Sequence, residues 1–108
     1  MYRFQDRRTQ ARSPGNTSGV VIAEGRELSC LIADMSDGGI RIRLDRAMAL
    51  PDTVIVVDIT RATAFEATVA WQKGVEVGLK VGQGTNVRGL VPSRLAQARQ
   101  AWVRASAL

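Results

Sequence analysis

Residues 64–81, AFEATVAWQKGVEVGLKV, decide the fold class. Phe65, Ala67, Val69 and Trp71 alternate with Glu66 and Thr68, and Val75, Val77, Leu79 and Val81 alternate with Glu76 and Lys80. Period two is the pattern of a strand that buries one face and wets the other. The QKG between the two runs has the length of a hairpin loop. The stretch therefore predicts two antiparallel strands, with Trp71 facing the core beside Phe65 and Val69.

Working outward, the same pattern recurs. Val20–Ala23 and Leu28–Ala33 flank EGRE, a candidate hairpin turn, and Leu28, Cys30 and Ile32 share one face. Ile40, Ile42 and Leu44 alternate with Arg41 and Arg43, and Pro51 and Asp52 then break the chain. Val54–Ile59 is a nearly continuous β-branched run. Six short strands without a long helix between them predict an all-β domain, an antiparallel barrel or sandwich. Closing a barrel also disposes of exposed edges.

Past residue 92 the period changes. SRLAQARQAWVRASAL is rich in Ala, Arg and Gln, which favour helix, with Ser93 as a candidate cap. Leu95, Ala98, Trp102 and Ala105 fall on one face at helical spacing, so a C-terminal helix is expected to rest Trp102 on the barrel, over an open end. Residues 1–17 are polar and contain Pro14, Gly15 and Asn16, which reads as an arm. The expected division is an arm at 1–17, a barrel at 18–91 and a helix at 92–108.

Composition bounds the chemistry. The 108 residues contain no histidine and one cysteine, Cys30, which leaves no structural zinc set and no Ser-His-Asp arrangement. An enzyme is not expected, nor a cofactor or metal. A lone cysteine fits a reducing compartment. No apolar run approaches a membrane span or a secretory signal, so a cytoplasmic protein is expected. Fifteen Lys and Arg face ten acids, and only Lys73 and Lys80 are lysines. Arginine suits bidentate and stacking recognition of phosphate or guanine, so the charge points to an anionic partner.

One stretch does not fit a plain strand. In IADMSDGGIRIRL (32–44), the polar run Asp34, Ser36, Asp37, Gly38, Gly39 precedes the alternation of Ile40, Ile42 and Leu44. Asp34 and Ser36 are two apart, so in an extended segment their side chains point the same way. Gly39 allows either an unusual backbone conformation or a close ligand approach. A carboxylate accepts from the N1–H and N2–H₂ of a guanine edge, and a hydroxyl can donate to phosphate. Ordinary turns use the same residue types. In the arm, RRTQAR sets Arg8 and Arg12 four apart with Arg7 adjacent. Guanidinium forks pair with guanine O6 and N7 and clamp phosphates, although a solvated basic tail has the same composition.

Arg8-x-x-x-Arg12 followed by Asp34-x-Ser36-x-x-Gly39 resembles the PilZ domain, the bacterial receptor module for cyclic di-GMP. VAWQKGVEVGLKV resembles that family's late hairpin, with a Trp ending one strand and a Gly-Leu pair in the next. The resemblance implies a six-stranded antiparallel β-barrel with a C-terminal helix, and a ligand held on the outer surface under the arm. By position, Arg8 and Arg12 would contact guanine and phosphate, while Asp34 and Ser36 would hold the guanine edge and Gly39 would permit approach. Arg7 falls where the family's choice of residue affects whether one or two stacked nucleotides bind. Gly38 and Trp71 are secondary candidates, and SPGNTSG after Arg12 departs from the family's common pattern.

A polar arm has little to bury. A dianionic nucleotide bridging it to Asp34 and Ser36 would order it and change the surface shown to a separate downstream protein. Arg7, Arg8 and Arg12, joined by Arg41 or Arg43, suit two nucleotides per chain. Two rivals are a PilZ-like adaptor that binds no nucleotide and a basic barrel for single-stranded nucleic acid. The latter needs exposed aromatics, and Phe65, Trp71 and Trp102 all read as core.

Overall fold

The computed structural model of the chain describes residues 16–106. Six strands form a closed antiparallel barrel: β1 (Thr17–Ala23), β2 (Arg26–Ser36), β3 (Gly39–Leu44), β4 (Thr53–Asp58), β5 (Thr63–Lys73) and β6 (Glu76–Val81). They pair in the order β4-β1-β2-β3-β6-β5, and β5 returns to β4 to complete the ring. A two-residue strand, β7 (Thr85–Asn86), adds opposite Thr63 and Ala64. A 3₁₀ turn at Ser93–Leu95 leads into α1 (Ala96–Ser106). Thr17, grouped with the arm by composition, is the first residue of β1.

The expected turn chemistry joins the strands. Glu24 and Gly25 both have positive φ, 52° and 80°, which is the backbone of a two-residue type I′ hairpin. Asp37 and Gly38 make the β2–β3 turn, with Gly38 at φ 75°, a conformation that costs a glycine little. The β4–β5 connection is fixed by Asp58, a fully buried carboxylate. It accepts from the backbone N and from Nη1 of Arg61, each at 3.1 Å.

Alternating residues fill the barrel: Val21, Ile32, Ile40, Ile42, Val56, Val77 and Leu79 are all buried in one interior cluster. A second cluster lies outside the wall formed by β1 and β4, where Ile22 and Val57 meet Leu95 and Ala98 of the C-terminal segment. Trp102 packs against this cluster and its Nε1 donates to the Ile59 carbonyl at 3.1 Å. The helix therefore lies along the side of the barrel and not over its end. The reason is in the sequence: VVIA and VIVVDI are apolar on both faces, as strands covered on both sides must be. Ser93 does not cap the helix through its side chain. Pro92, with φ −57° and ψ 152°, takes the N-cap position of the 3₁₀ turn, and no side-chain cap bond forms there.

Placing α1 against β1 and β4 has a consequence for function. Helix α1 reaches β2 only at its start, where Arg104 and Gln97 donate to Glu27. The outer surface of β3, β6, the far half of β2 and the end of β5 carries no helix among the described residues. That open wall holds the unusual residues of the sequence.

Candidate functional site

Two β-bulges shape the open wall. In β2 the register with β3 runs Ile32 opposite Ile42 and then Asp34 opposite Arg41, so Ala33 is an extra residue. In β5 the register with β6 runs Val69 opposite Leu79 and then Trp71 opposite Gly78, so Ala70 is extra. A bulge inserts one residue without a partner and turns everything after it to the other face. Uninterrupted alternation would send Asp34 into the barrel behind Ile32. The bulge turns it outward instead, and Ser36, two further on, goes with it.

Trp71 is moved by the same device, and here the alternation misleads. Its expected place beside Phe65 and Val69 in the core is wrong: Trp71 is 47% exposed on the outer face. The indole lies across Gly78, where a side-chain carbon would collide with Nε1 and Cε2 of the ring. Gly78, half of the Gly-Leu pair, is what lets the ring lie flat on the sheet.

The registers line these residues up. Asp34 faces Arg41, Arg41 faces Gly78 and Gly78 faces Trp71, one row across β2, β3, β6 and β5. The adjacent outward row is Ser36, Gly39, Lys80 and Thr68. At about 4.8 Å between strands and about 3.4 Å per residue, the two rows make a strip about 14 Å long and 7 Å wide. The bulges flank the first row, one on each side. Together the rows border a shallow depression of about 240 Å³ lined by Asp34, Ser36, Gly39, Arg41, Trp71 and Gly78, with Ile40, Ala70 and Leu79 completing it.

Asp34 and Ser36 thus share one face, and both belong to β2 itself and not to a loop ahead of β3. Gly39 has an ordinary strand conformation. The left-handed glycine is Gly38, in the turn, which borders a neighbouring hollow with Ser36 and Asp37. A side-chain carbon on Gly39 would meet only the Leu79 carbonyl and Ser36 Oγ, at 3.7 Å. An unusual backbone conformation is therefore not the reason for a glycine at this position. Arg7, Arg8 and Arg12 lie outside the described residues.

The electrostatics of the strip are mixed. Arg41 Nη1 donates to Glu76 Oε1 at 3.1 Å, and Arg43 Nη1 lies 4.0 Å from Glu76 Oε2. Lys80 is exposed beside Gly39. The strip therefore offers a carboxylate, two hydroxyls, a guanidinium, an ammonium and a flat aromatic ring, with the Arg43 guanidinium one row beyond it. That set suits a planar, polyanionic ligand with hydrogen-bond donors along one edge. Among the described residues no group of three or more His, Cys, Asp or Glu comes together as a metal site, and no helix is long and apolar enough to cross a membrane.

The fold is a small closed barrel with a helix on one wall and a polar strip on the other. The PilZ domain family model matches residues 6–91, and the chain belongs to that family, one of receptor and adaptor domains associated with cyclic di-GMP. No curated protein and no solved structure matches it.

Proposed function

We propose that the protein is a cyclic di-GMP receptor that signals to a separate protein. The strip supports this reading through one observation above all. Asp34 and Ser36, which the family resemblance sets against the guanine edge, and Gly39, which it leaves open to ligand approach, border one depression together with an exposed indole. In this reading the Asp34 carboxylate accepts from the guanine N1–H and N2–H₂. Ser36 donates to a neighbouring polar group, and Gly39 leaves room for the ligand to touch the sheet. Trp71 offers a stacking face. Arg8 and Arg12 supply bidentate contacts to phosphate and to guanine O6 and N7. The arm is ordered when the nucleotide bridges it to the strip, which changes the surface available to a downstream partner.

A ligand that binds only the folded state at a hundred times its dissociation constant stabilises it by about 2.7 kcal/mol. For a domain of this size the melting temperature then rises by about ten degrees. Arg12→Ala is expected to remove that rise while leaving the melting temperature of the free protein unchanged. No rise in the unmutated protein at millimolar cyclic di-GMP would overturn the receptor reading and leave the adaptor that binds no nucleotide.

A further inference from the structure

The ion pair between Arg41 and Glu76 links β3 to β6 at the edge of the strip. Arg41 stands in the middle of the first row, between Asp34 and Gly78, and lines the depression. Its cross-strand neighbour on β2 is an acid, yet its Nη1 donates to Glu76 Oε1 at 3.1 Å. Glu76 lies one outward row away, directly opposite Arg43, and its second oxygen is 4.0 Å from that guanidinium. One carboxylate thus lies against two guanidinium groups. Both members of the nearer pair are partly open to water, 46% for Arg41 and 37% for Glu76.

Ion pairs exposed to this degree are weak, because water and salt screen both charges. A carboxylate in such a pair is replaced at little cost by a better anion. Phosphate is a better anion for this purpose: Glu76 accepts one hydrogen bond from Arg41, whereas a phosphodiester can meet the guanidinium bidentately and, brought to the strip, arrives with its other groups already held. Its negative charge would also take over the part that Glu76 plays between the two arginines.

We propose, on the basis of the receptor reading above, that Arg41 is a phosphate-binding residue of this site. Glu76 is its resident competitor, a carboxylate that occupies the guanidinium until a phosphate of the nucleotide displaces it. The pair lowers the affinity of the site and sharpens its selectivity, since only a ligand that also engages Asp34 and Ser36 brings phosphate close enough to exchange with Glu76. A free phosphate or a linear mononucleotide has no such advantage.

The test is a set of cyclic di-GMP dissociation constants for the full chain and three variants at fixed salt. A charge-assisted contact to phosphate corresponds to a loss of about tenfold to a hundredfold for Arg41→Ala. Removing the competitor in Glu76→Gln is expected to tighten binding by about threefold to fivefold, the range of an exposed pair. In the double variant Glu76→Gln with Arg41→Ala, that gain is expected to vanish, because there is no guanidinium to release. Melting temperatures of the free variants check that all fold. If Glu76→Gln tightens binding equally with and without Arg41, Glu76 acts only as a general negative charge and the proposal fails. Wild-type affinity in Arg41→Ala also overturns it while leaving the receptor reading intact. Absence of binding to the unmutated chain overturns both.

Discussion

Replacing Gly78 by alanine tests how the strip is built. The new methyl would occupy the space of the Trp71 indole, so the ring must swing off the sheet. Trp71 is 47% exposed, so about half of a surface of about 250 Å² lies against the strands. At about 25 cal/mol per Å² that contact stabilises by about 3 kcal/mol at most. A displaced ring recovers part of this elsewhere, and alanine costs less chain entropy in a strand than glycine. The net loss is expected to be about 1–2 kcal/mol, a fall in melting temperature of about 5–12 °C. Thermal unfolding by circular dichroism measures it, and a double-mutant cycle isolates the cause. With Trp71→Ala already present nothing obstructs the methyl, so adding Gly78→Ala should then be neutral or slightly stabilising. If Gly78→Ala costs the same in both backgrounds, the ring is not held by the glycine, and the account of the bulge in β5 is wrong.

Further predictions concern sites away from the strip. Glu27 accepts from Arg104 and from Gln97, and those bonds, Arg104's first, hold its carboxyl below the ordinary value of 4.5. A depressed folded-state value gives stability that is present above about pH 4.5 and is lost as pH falls through the folded value. Melting temperatures taken from pH 6 down to pH 3 should therefore fall less steeply in Arg104→Ala than in the unmutated chain. Cys30 lies inside the barrel, where burial first, and then the charges of Asp45 and Asp58, push its thiol up to about 12. A disulfide reagent at pH 8 should leave the native protein unlabelled over hours and react at once in denaturant. Rapid labelling of the native chain would mean that the barrel opens far more often than its packing implies.

The strands were legible because most of them bury one face. Ile40, Ile42 and Leu44 are all buried, as their alternation with Arg41 and Arg43 requires. Trp71 was not legible as an outer residue, since a bulge adds one residue without changing composition, and AFEATVAW reads as unbroken alternation. The same effect hid the fact that Asp34 leaves the core side only by virtue of Ala33. The pairing of Asp34 with Ser36 survived because their spacing lies wholly beyond the bulge. The helix position was present in the two-sided apolar runs of β1 and β4, but single-sequence periodicity does not say which element covers the second face. An exposed Trp71 is also a stacking face that single-stranded nucleic acid could use, so an oligonucleotide belongs among the competing ligands.

The central claim is that this wall of the barrel receives a cyclic guanine dinucleotide. A calorimetric titration of the full chain with cyclic di-GMP, beside cyclic di-AMP, GMP and a short single-stranded oligonucleotide, tests it most directly. Adenine has no N1–H or N2–H₂ for Asp34 to accept, so cyclic di-AMP should bind at least about a hundredfold more weakly. GMP, with one base and no second phosphodiester, should fall behind by a similar factor. The equivalence point with cyclic di-GMP is expected at two nucleotides per chain. Equal heats and affinities for cyclic di-GMP and cyclic di-AMP, or tighter binding of the oligonucleotide than of either, would contradict the account.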